Sequence, residues 1–516
     1  MRYAFLRAAA FASVLLALGL LVPAQLLAAD RLPNIVFVMA DDLGYGDVSC
    51  FGQEKFQTPN IDRIARNGMR FTQHYSGSPV CAPSRCVLMT GLHSGHSVVR
   101  NNRELKPEGQ FPLPEGTVTL PRRLQEIGYV TGAFGKWGLG GPGSTGEPLK
   151  QGINRFFGYN CQRVAHNYYP LHLWDNDQKL MLNNEEFAAH QRLPEGADPN
   201  DPASYAAYKG KDYAPDLIAE QAIKFIEQNK DRPFFLYFPT TIPHLALQVP
   251  DDTLRKFEDK FDDQPYVGGN SYLPHRTPRA AYAAMITRLD DYVGQMLDKV
   301  EELGLTDNTI FVFTSDNGPL FNRLGGTDSE YFNSTRSLRG YKGSVYEGGV
   351  RVPMAIAWKG KIAAGSQSDR ITGFEDWFST LVELASGKPE SGLVTDGISF
   401  APTLLGKEQP PREFLYREFP AYGGQQSLRM GDWKAVRQNL MPQTGGGGRN
   451  KGKSKAELAN KEPDLRIELY NLKDDPYETT NVADKHPDIV ARMERVMREQ
   501  HRPNPDFPFP ALDQLQ

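Results

Sequence analysis

The sequence predicts an α/β fold in which a mainly parallel sheet is flanked by helices. Three short apolar runs support this prediction: Asn34–Ala40, Phe234–Phe238 and Thr309–Thr314. Their length and their content of β-branched and aromatic residues favour buried strands. Between Ala280 and Leu303, apolar residues recur at helical spacing, and Gly304 is typical of the end of a helix. Strands that alternate with helices in this way form parallel sheets with helices on their faces.

The C-terminal part of the chain has a different pattern. Met354–Trp358 predicts one more strand of the large sheet, and the sequence becomes more polar after about residues 405–415. Ser427–Val436 is typical of a hairpin, Arg466–Leu472 of a strand and Pro487–Gln500 of a helix. We therefore expect a large domain over residues 30–410. A smaller C-terminal α+β subdomain with an antiparallel sheet is expected over residues 411–516.

The N-terminus has the composition of an export signal. Arg2 and Arg7 give the first residues a positive charge. Ala8–Val22 is an apolar run rich in small residues, and Ala28-Ala29 offers a cleavage site. This pattern predicts a signal peptide over residues 1–29 and an exported protein, periplasmic or secreted; the alternative is an uncleaved membrane anchor. Because no later run has about 18 uninterrupted apolar residues, no stable membrane insertion is expected after cleavage.

Charge and cysteine content exclude some classes of protein. Lys and Arg number 58 against 62 Asp and Glu, a formal net charge of −4, so a basic surface for nucleic acid is not expected. An anionic substrate would have to meet a local cluster of cations. The four cysteines, Cys50, Cys81, Cys86 and Cys161, are too few for a disulfide scaffold. One disulfide remains open, with Cys50 and Cys86 as candidates.

Two polar pairs directly follow predicted strands. Asp41-Asp42 follows the first strand, and Asp316-Asn317 follows the strand at Thr309–Thr314 after Ser315. Because ligands bind beyond the carboxyl ends of parallel strands, the two pairs could be neighbours. Their oxygen atoms suit a hard cation, Ca²⁺ or Mg²⁺, better than zinc. Turns also use Asp freely, so either pair alone is weak evidence.

The segment Cys81-Ala82-Pro83-Ser84-Arg85, with Thr90-Gly91 after it, resembles the signature of the type I sulfatases. The resemblance implies that a formylglycine-generating maturation enzyme converts Cys81 into formylglycine, an aldehyde whose hydrate is the nucleophile. The apolar run after Arg85 indicates that Cys81 lies near a helix N-terminus, which favours an anion. A geminal diol also has a second hydroxyl that can expel sulfate after the first has attacked sulfur.

Further segments resemble the same family, in the family's order. They are Met39–Asp47, Gly128–Trp137, Thr241–His244, Thr314–Gly318, and Leu338–Gly343 with Glu347–Pro353. The resemblance implies a calcium site formed by Asp41, Asp42, Asp316, Asn317 and the modified Cys81. It also implies sulfate binding by Arg85, Lys136 and Lys342, and protonation of the leaving alcohol by His244. Cations placed in this way would offset the charge of the transition state.

The resemblance extends over about residues 33–485 and implies an alkaline-phosphatase-like fold. The implied substrate is a sulfated carbohydrate of the galactose or N-acetylgalactosamine type. Two alternatives stay open: a phosphoesterase or phosphonate hydrolase of the same superfamily, and a catalytically weak homologue that binds sulfated glycans.

One position departs from the family pattern. Gly138 stands two residues after Lys136, where the family commonly has a histidine that contacts the formylglycine hydrate and assists sulfate release. The base for that step is therefore unassigned. His166, in the polar and aromatic segment 160–169, is the first candidate, and a simple loop position is its alternative. Candidates for substrate binding, all in loops after or between the motifs, are Arg100, Asn101, Arg163, His166, His172 and Trp174.

Overall fold

The computed structural model describes residues 32–442 and 462–515, apart from 270, 390, 391 and 393. The predicted signal peptide at residues 1–29 lies outside the described residues. Within the described ranges, no helix is both long enough and apolar enough to cross a bilayer.

Fifteen strands are present in the described part of the chain. They are β1 Asn34–Ala40, β2 Met69–Tyr75, β3 Val130–Lys136, β4 Arg155–Tyr159, β5 His172–Asp175, β6 Gln178–Met181, β7 Phe234–Pro239, β8 Thr309–Ser315, β9 Arg351–Trp358, β10 Ser366–Ser368, β11 Thr372–Gly373, β12 Leu415–Phe419, β13 Gln425–Met430, β14 Trp433–Gln438 and β15 Glu468–Asn471. The α-helices are α1 Pro59–Asn67, α2 Cys81–Thr90, α3 Leu120–Glu126, α4 Ala214–Gln228, α5 Asp251–Leu254, α6 Pro278–Glu302, α7 Glu347–Val350, α8 Asp376–Ser386, α9 Ala401–Leu404, α10 Pro487–Glu499 and α11 Pro510–Asp513.

The first eleven strands form one sheet in the order β10-β2-β9-β8-β1-β7-β3-β4-β5-β6, with β11 also paired to β2. The central strands β8, β1, β7, β3 and β4 are all parallel. β9 runs antiparallel to both β8 and β2, and β5 and β6 form an antiparallel edge. The predicted mixed, mainly parallel sheet is therefore confirmed.

Both faces of this sheet are buried, as expected for parallel strands. Along β1, Ile35 and Phe37 pack on one face with residues of α2, α3 and α8, while Val36 and Val38 pack on the other with residues of α1, α4 and α6. The long helix predicted over Ala280–Leu303 is α6, and Gly304 follows it with φ +70°. The sheet thus holds the carboxyl ends of its central strands in fixed positions.

The possible disulfide between Cys50 and Cys86 is not formed, because all four cysteines are free. Cys86 lies in α2 and packs with Ile35 and Phe37 on one face of the sheet. Cys50 packs against the core cluster on the opposite face. The sheet therefore separates the two sulfur atoms.

The remaining strands form a second, antiparallel sheet in the order β12-β13-β14-β15. The predicted hairpin corresponds to β13 and β14, and α10 covers this sheet through Met493 and Met497. Buried ion pairs join the sheet to the rest of the protein: Arg417 bonds Glu375 at 2.9 Å, and Lys434 bonds Glu347 at 2.9 Å. The domain limits 30–410 and 411–516 stay a prediction.

Candidate active site

Three strands of the large sheet carry polar residues at their carboxyl ends. Beyond β1 lie Asp41 and Asp42, beyond β8 lie Asp316 and Asn317, and β3 ends at Lys136. The two pairs are in contact, since the Asp42 amide donates to Asp316 Oδ1 at 3.2 Å and Asn317 Nδ2 donates to Asp42 Oδ1 at 2.7 Å. The expectation that the pairs are neighbours is confirmed, and its cause is the adjacency of β1 and β8.

Cys81 is the first residue of α2, and its side chain is buried. Its Sγ lies 3.3 Å from Lys342 Nζ and 3.5 Å from Asp41 Oδ1. Burial raises the pKa of the Cys81 thiol to about 12; the negative charge of Asp41 adds to this increase, and the positive charges of Lys136 and Lys342 oppose it. An unmodified Cys81 is therefore a neutral thiol, which is a poor nucleophile.

Three cations lie around Cys81, and each bonds a carboxylate; Arg85 and Lys136 are buried, and the Lys342 side chain is 11% exposed. Arg85 Nη2 lies 2.8 Å from Asp316 Oδ2 and 3.2 Å from Asp41 Oδ2. Lys136 Nζ lies 2.5 Å from Asp41 Oδ2, and Lys342 Nζ lies 2.6 Å from Asp42 Oδ1. Buried charges need such partners because desolvation is costly.

The carboxylates differ in their electrostatic surroundings. Burial favours protonation of Asp41, but Lys136, His244 and Arg85 outweigh it and hold the pKa well below its usual range. Burial instead prevails at Asp316, where it raises the pKa to about 6, with the negative charge of Asp41 also contributing. The pKa of Asp42 is likewise raised by burial. Carboxylates this close together repel one another when ionised, and a bound divalent cation would offset that repulsion.

The residues present fit a hard cation. Asn317 Oδ1 is buried and has no hydrogen-bond partner within the described residues, although its own Nδ2 bonds Asp42. Ligand atoms of Asp41, Asp42, Cys81 and His244 all lie within 4.8 Å of one another. Together with Asn317, the two carboxylates give three oxygen donors, which suit Ca²⁺ or Mg²⁺.

His244 lies in the segment that follows β7. Its Nδ1 is 2.6 Å from the carbonyl oxygen of Leu245, and its Nε2 is 3.5 Å from Asp42 Oδ2. Donation from Nδ1 to the carbonyl leaves Nε2 as the nitrogen that exchanges protons in the pocket. Burial, helped by the charge of Lys342, lowers the pKa of His244 well below its usual value.

His166 lies beside His244 and not beside Gly138. The two imidazoles stack with centroids 4.8 Å apart at 15°, and His166 Nδ1 is 3.4 Å from His190 Nε2. The space next to Gly138 holds the side chain of Gln162, which the sequence reasoning did not select. No spacing rule marks Gln162, because a loop brings it there.

Two of the proposed substrate residues have other partners. Arg100 is buried and bonds Glu418 Oε1 at 2.7 Å and the carbonyl oxygen of Arg502 at 2.7 Å, so it holds the C-terminal segment. Asn101 Oδ1 accepts from the backbone amide of Asn102 at 2.8 Å. The Asn102 side chain, which the sequence reasoning missed, accepts from the Ala82 amide at 3.0 Å beside the nucleophile position.

Two of the other candidates line a cavity of about 590 Å³. Arg163 and His172 line it, together with His190 and Glu104. Arg163 is exposed and lies 3.4 Å from Glu104. His172 and Trp174 both bond Glu108, at 3.1 Å and 2.6 Å, so they fix the loop that carries it.

Two tyrosines that the sequence reasoning missed lie near the pocket. The Tyr272 ring is 5.9 Å from that of His244. Tyr422, from the loop between β12 and β13, packs on Gly343 so closely that an added Cβ there would be 2.3 Å from its ring. This contact brings an aromatic residue of the second sheet next to Lys342.

The fold and the pocket together suit a metal-assisted hydrolase of anionic esters, and comparisons with known proteins place the chain more closely. The family model described as Sulfatase matches residues 33–388. Human arylsulfatase A is 33% identical over 507 residues, which cover 92% of this chain and 89% of that protein. The chain belongs to the sulfatase family and is a sulfuric ester hydrolase.

Two further relatives extend the comparison. The N-acetylgalactosamine-6-O-sulfatase of Bacteroides thetaiotaomicron is 29% identical over 526 residues, with 90% of this chain and 92% of that protein covered. The crystal structure of Ps i-CgsB in complex with k-i-k-neocarrahexaose superposes with a TM-score of 0.71 at 25% identity, covering 93% of this chain and 95% of that one. The alkaline-phosphatase-like fold implied by the resemblance is thereby confirmed.

Proposed function

We propose that this protein is an exported sulfatase that removes sulfate from carbohydrates of the galactose or N-acetylgalactosamine type. The observation that carries the proposal is the position of Cys81, at the start of α2 and in contact with both Lys342 and Asp41. The substrate class rests on the relative named N-acetylgalactosamine-6-O-sulfatase and on the neighbour whose structure contains a neocarrahexaose.

The proposed nucleophile is the hydrate of formylglycine at position 81, which supplies one hydroxyl to attack sulfur and a second to expel sulfate. The buried thiol with its raised pKa supports this reading, because an unmodified Cys81 would not ionise at neutral pH. Lys342 Nζ, 3.3 Å from Sγ, is placed to orient the attacking hydroxyl.

The remaining roles follow from the contacts. Arg85 and Lys136 would bind the sulfate group. The negative charge of the bound sulfate would favour a protonated His244, which would then give the proton on Nε2 to the leaving sugar oxygen. Asp41, Asp42, Asp316 and Asn317 would hold a calcium ion, with residue 81. The ion would neutralise negative charge that develops on the sulfate oxygens.

The proposal includes the organisation of the chain. Residues 1–29 would be removed on export to the periplasm or the medium, residues 30–410 would form the catalytic domain, and residues 411–516 the C-terminal subdomain. An oxidising maturation enzyme of the host would convert Cys81 before the enzyme becomes active.

The test combines peptide mass spectrometry with matched assays. Protein produced with and without a formylglycine-generating enzyme is assayed on sulfated N-acetylgalactosamine, sulfated galactose, an aryl sulfate and an aryl phosphate. We expect sulfate release to rise in proportion to the fraction of residue 81 found as aldehyde, and sulfate esters to be preferred. Full activity with an unmodified thiol, or dominant phosphate hydrolysis, would overturn the proposal. Binding without turnover by fully converted protein would support a glycan-binding role.

A further inference from the structure

The side chain of Gln162 is buried beside the pocket and has no hydrogen-bond partner in the part of the chain that the structure describes. It lies in the loop after β4, is 6% exposed, and neither its Oε1 nor its Nε2 has a hydrogen-bond partner among the described residues. Buried amides are almost always bonded, because an unsatisfied donor or acceptor loses the hydrogen bonds that water would give it. Within the described ranges, the hydrogen-bonding groups of this amide are therefore left for a ligand or a water molecule.

The amide occupies the space that a side chain at position 138 would take. A Cβ added to Gly138 would lie 2.6 Å from Gln162 Nε2 and 3.8 Å from Arg85 Cδ. Gly138 also has φ +79°, a backbone conformation that favours glycine. The Gly138 amide donates to the carbonyl of Asn160 at 3.2 Å, which fixes the two segments against each other.

The surroundings of this amide are those of an anion site. Arg85 reaches from α2 to bond the carbonyl oxygen of Lys136, two residues before Gly138. The side chain of Lys136 bonds Asp41, which in turn contacts Cys81. The neutral carboxamide of Gln162 offers an NH₂ group as donor and a carbonyl oxygen as acceptor. These groups complement a ligand that carries both sulfate oxygens and hydroxyl groups.

We propose that Gln162 contacts the reacting group directly, replacing the imidazole that sulfatases commonly place at the position of Gly138. Its Nε2 donates to a sulfate oxygen, and its Oε1 accepts from a hydroxyl of the hydrated residue 81. This proposal rests on the proposed function, since it names a contact of the same site. Because a carboxamide does not take up a proton at neutral pH, Gln162 orients and stabilises the group without serving as the base.

The first test is Gln162→Met, which keeps the length of the side chain and removes its polar atoms. Since no protein partner is lost, we expect an unchanged or raised melting temperature together with a fall in kcat/KM of about 10- to 100-fold, the effect of one hydrogen bond to a charged group. Gln162→Glu should reduce kcat/KM further, because its carboxylate would repel the sulfate.

Gln151→Met is the matched control, at the opposite end of β4. Gln151 is fully buried, but its Nε2 donates to the carbonyl of Thr145 at 2.8 Å. We expect this variant to lower the melting temperature and leave kcat/KM unchanged. The opposite responses of the two glutamines separate a substrate contact from a structural one.

A double substitution tests whether Gln162 takes the place of a histidine at position 138. Gly138→His alone should lower both stability and activity, because its side chain meets Gln162. Gly138→His combined with Gln162→Gly should recover activity relative to Gln162→Gly alone. Wild-type kcat/KM in Gln162→Met would overturn the proposal, as would a loss of stability equal to that of the control.

Failure of the proposed Gln162 contact can be told apart from failure of the proposed function. If fully converted wild-type protein hydrolyses no sulfate ester, the proposed function fails. Inorganic sulfate, measured by calorimetry, is then the probe for Gln162. Weakening of its binding by about tenfold in Gln162→Met would support the contact, and equal binding would overturn it.

Discussion

The two halves of the proposed site are built in different ways. The strand-end half consists of residues at the ends of β1, β3 and β8 and in α2, namely Asp41, Asp42, Cys81, Arg85, Lys136, Asp316 and Asn317, together with Lys342, which lies in the segment between β8 and β9 and bonds Asp42. The loop half consists of residues on the connections around it: Arg163, His166, His190, Tyr272 and Tyr422. In the first half every cation is paired with a carboxylate and no cation is more than 11% exposed, whereas in the second Arg163 is exposed and its ion pair with Glu104 is long, at 3.4 Å.

This difference predicts unequal effects of mutation. Removing one member of a buried ion pair leaves its partner uncompensated, at a cost of about 3–5 kcal/mol. An exposed pair contributes only about 0–1 kcal/mol. The strand-end half should therefore carry the reaction and part of the stability, while the loop half selects the substrate with little effect on either.

The largest effect is expected from Cys81→Ala. Loss of the proposed nucleophile should reduce kcat/KM by about 10⁴-fold or more, in line with other enzymes that lose a covalent nucleophile. Cys86→Ala is the control within the same helix, since the Cys86 side chain is buried in the core cluster that contains Ile35 and Phe37. It should lower the melting temperature and preserve kcat/KM. Comparable losses in the two variants would mean that Cys81 has only a packing role.

His244 joins the two halves, and its effect should depend on the leaving group. His244→Asn removes the proposed acid, so kcat on a sugar sulfate should fall by about 10²- to 10³-fold. An aryl sulfate, whose phenolate departs without a proton, should lose far less. His74→Asn, which replaces a buried histidine bonded to Thr372 at 2.8 Å, should affect stability alone. Equal losses on both substrates would contradict acid catalysis by His244.

Asn317 tests the metal assignment within the strand-end half. Asn317→Leu removes the buried Oδ1 that lacks a partner, and we expect about 10- to 100-fold weaker activation by Ca²⁺ after chelation with EGTA. Asn34→Leu is the control, because Asn34 Oδ1 is also buried and unpartnered but lies at the opposite end of β1. Identical calcium titrations of the two variants would argue against the site.

The same contrast explains what the sequence could predict. Asp41-Asp42 and Asp316-Asn317 each follow an apolar run, so strand topology alone makes them neighbours. Arg85, Lys136, Lys342 and His244 came from family segments and converge in the structure around Cys81. The chemistry of this half is tied to regular elements, and regular elements leave periodic patterns in a sequence.

Loops leave no such pattern, and there the predictions were less accurate. Arg100 was a candidate for substrate binding, but its guanidinium bonds Glu418 and the C-terminal segment instead. Gln162 and Tyr422 were missed because long-range packing brings them to the pocket. Whether Cys50 and Cys86 pair could not be predicted for a related reason: the spacing of cysteines does not reveal on which face of a sheet each one lies.

The smallest effect is expected from Arg163→Ala in the loop half. Because this guanidinium lines the 590 Å³ cavity and is exposed, KM for a sulfated oligosaccharide should rise only a few-fold, with kcat and stability unchanged. Arg466→Ala is the control, since Arg466 is also exposed and paired, with Asp464 at 2.7 Å, but lies in the C-terminal part. A KM effect confined to longer substrates would place Arg163 at a distant sugar unit. A hundredfold loss in kcat would instead mean that the loop half takes part in the chemistry, and the division between the halves would have to be abandoned.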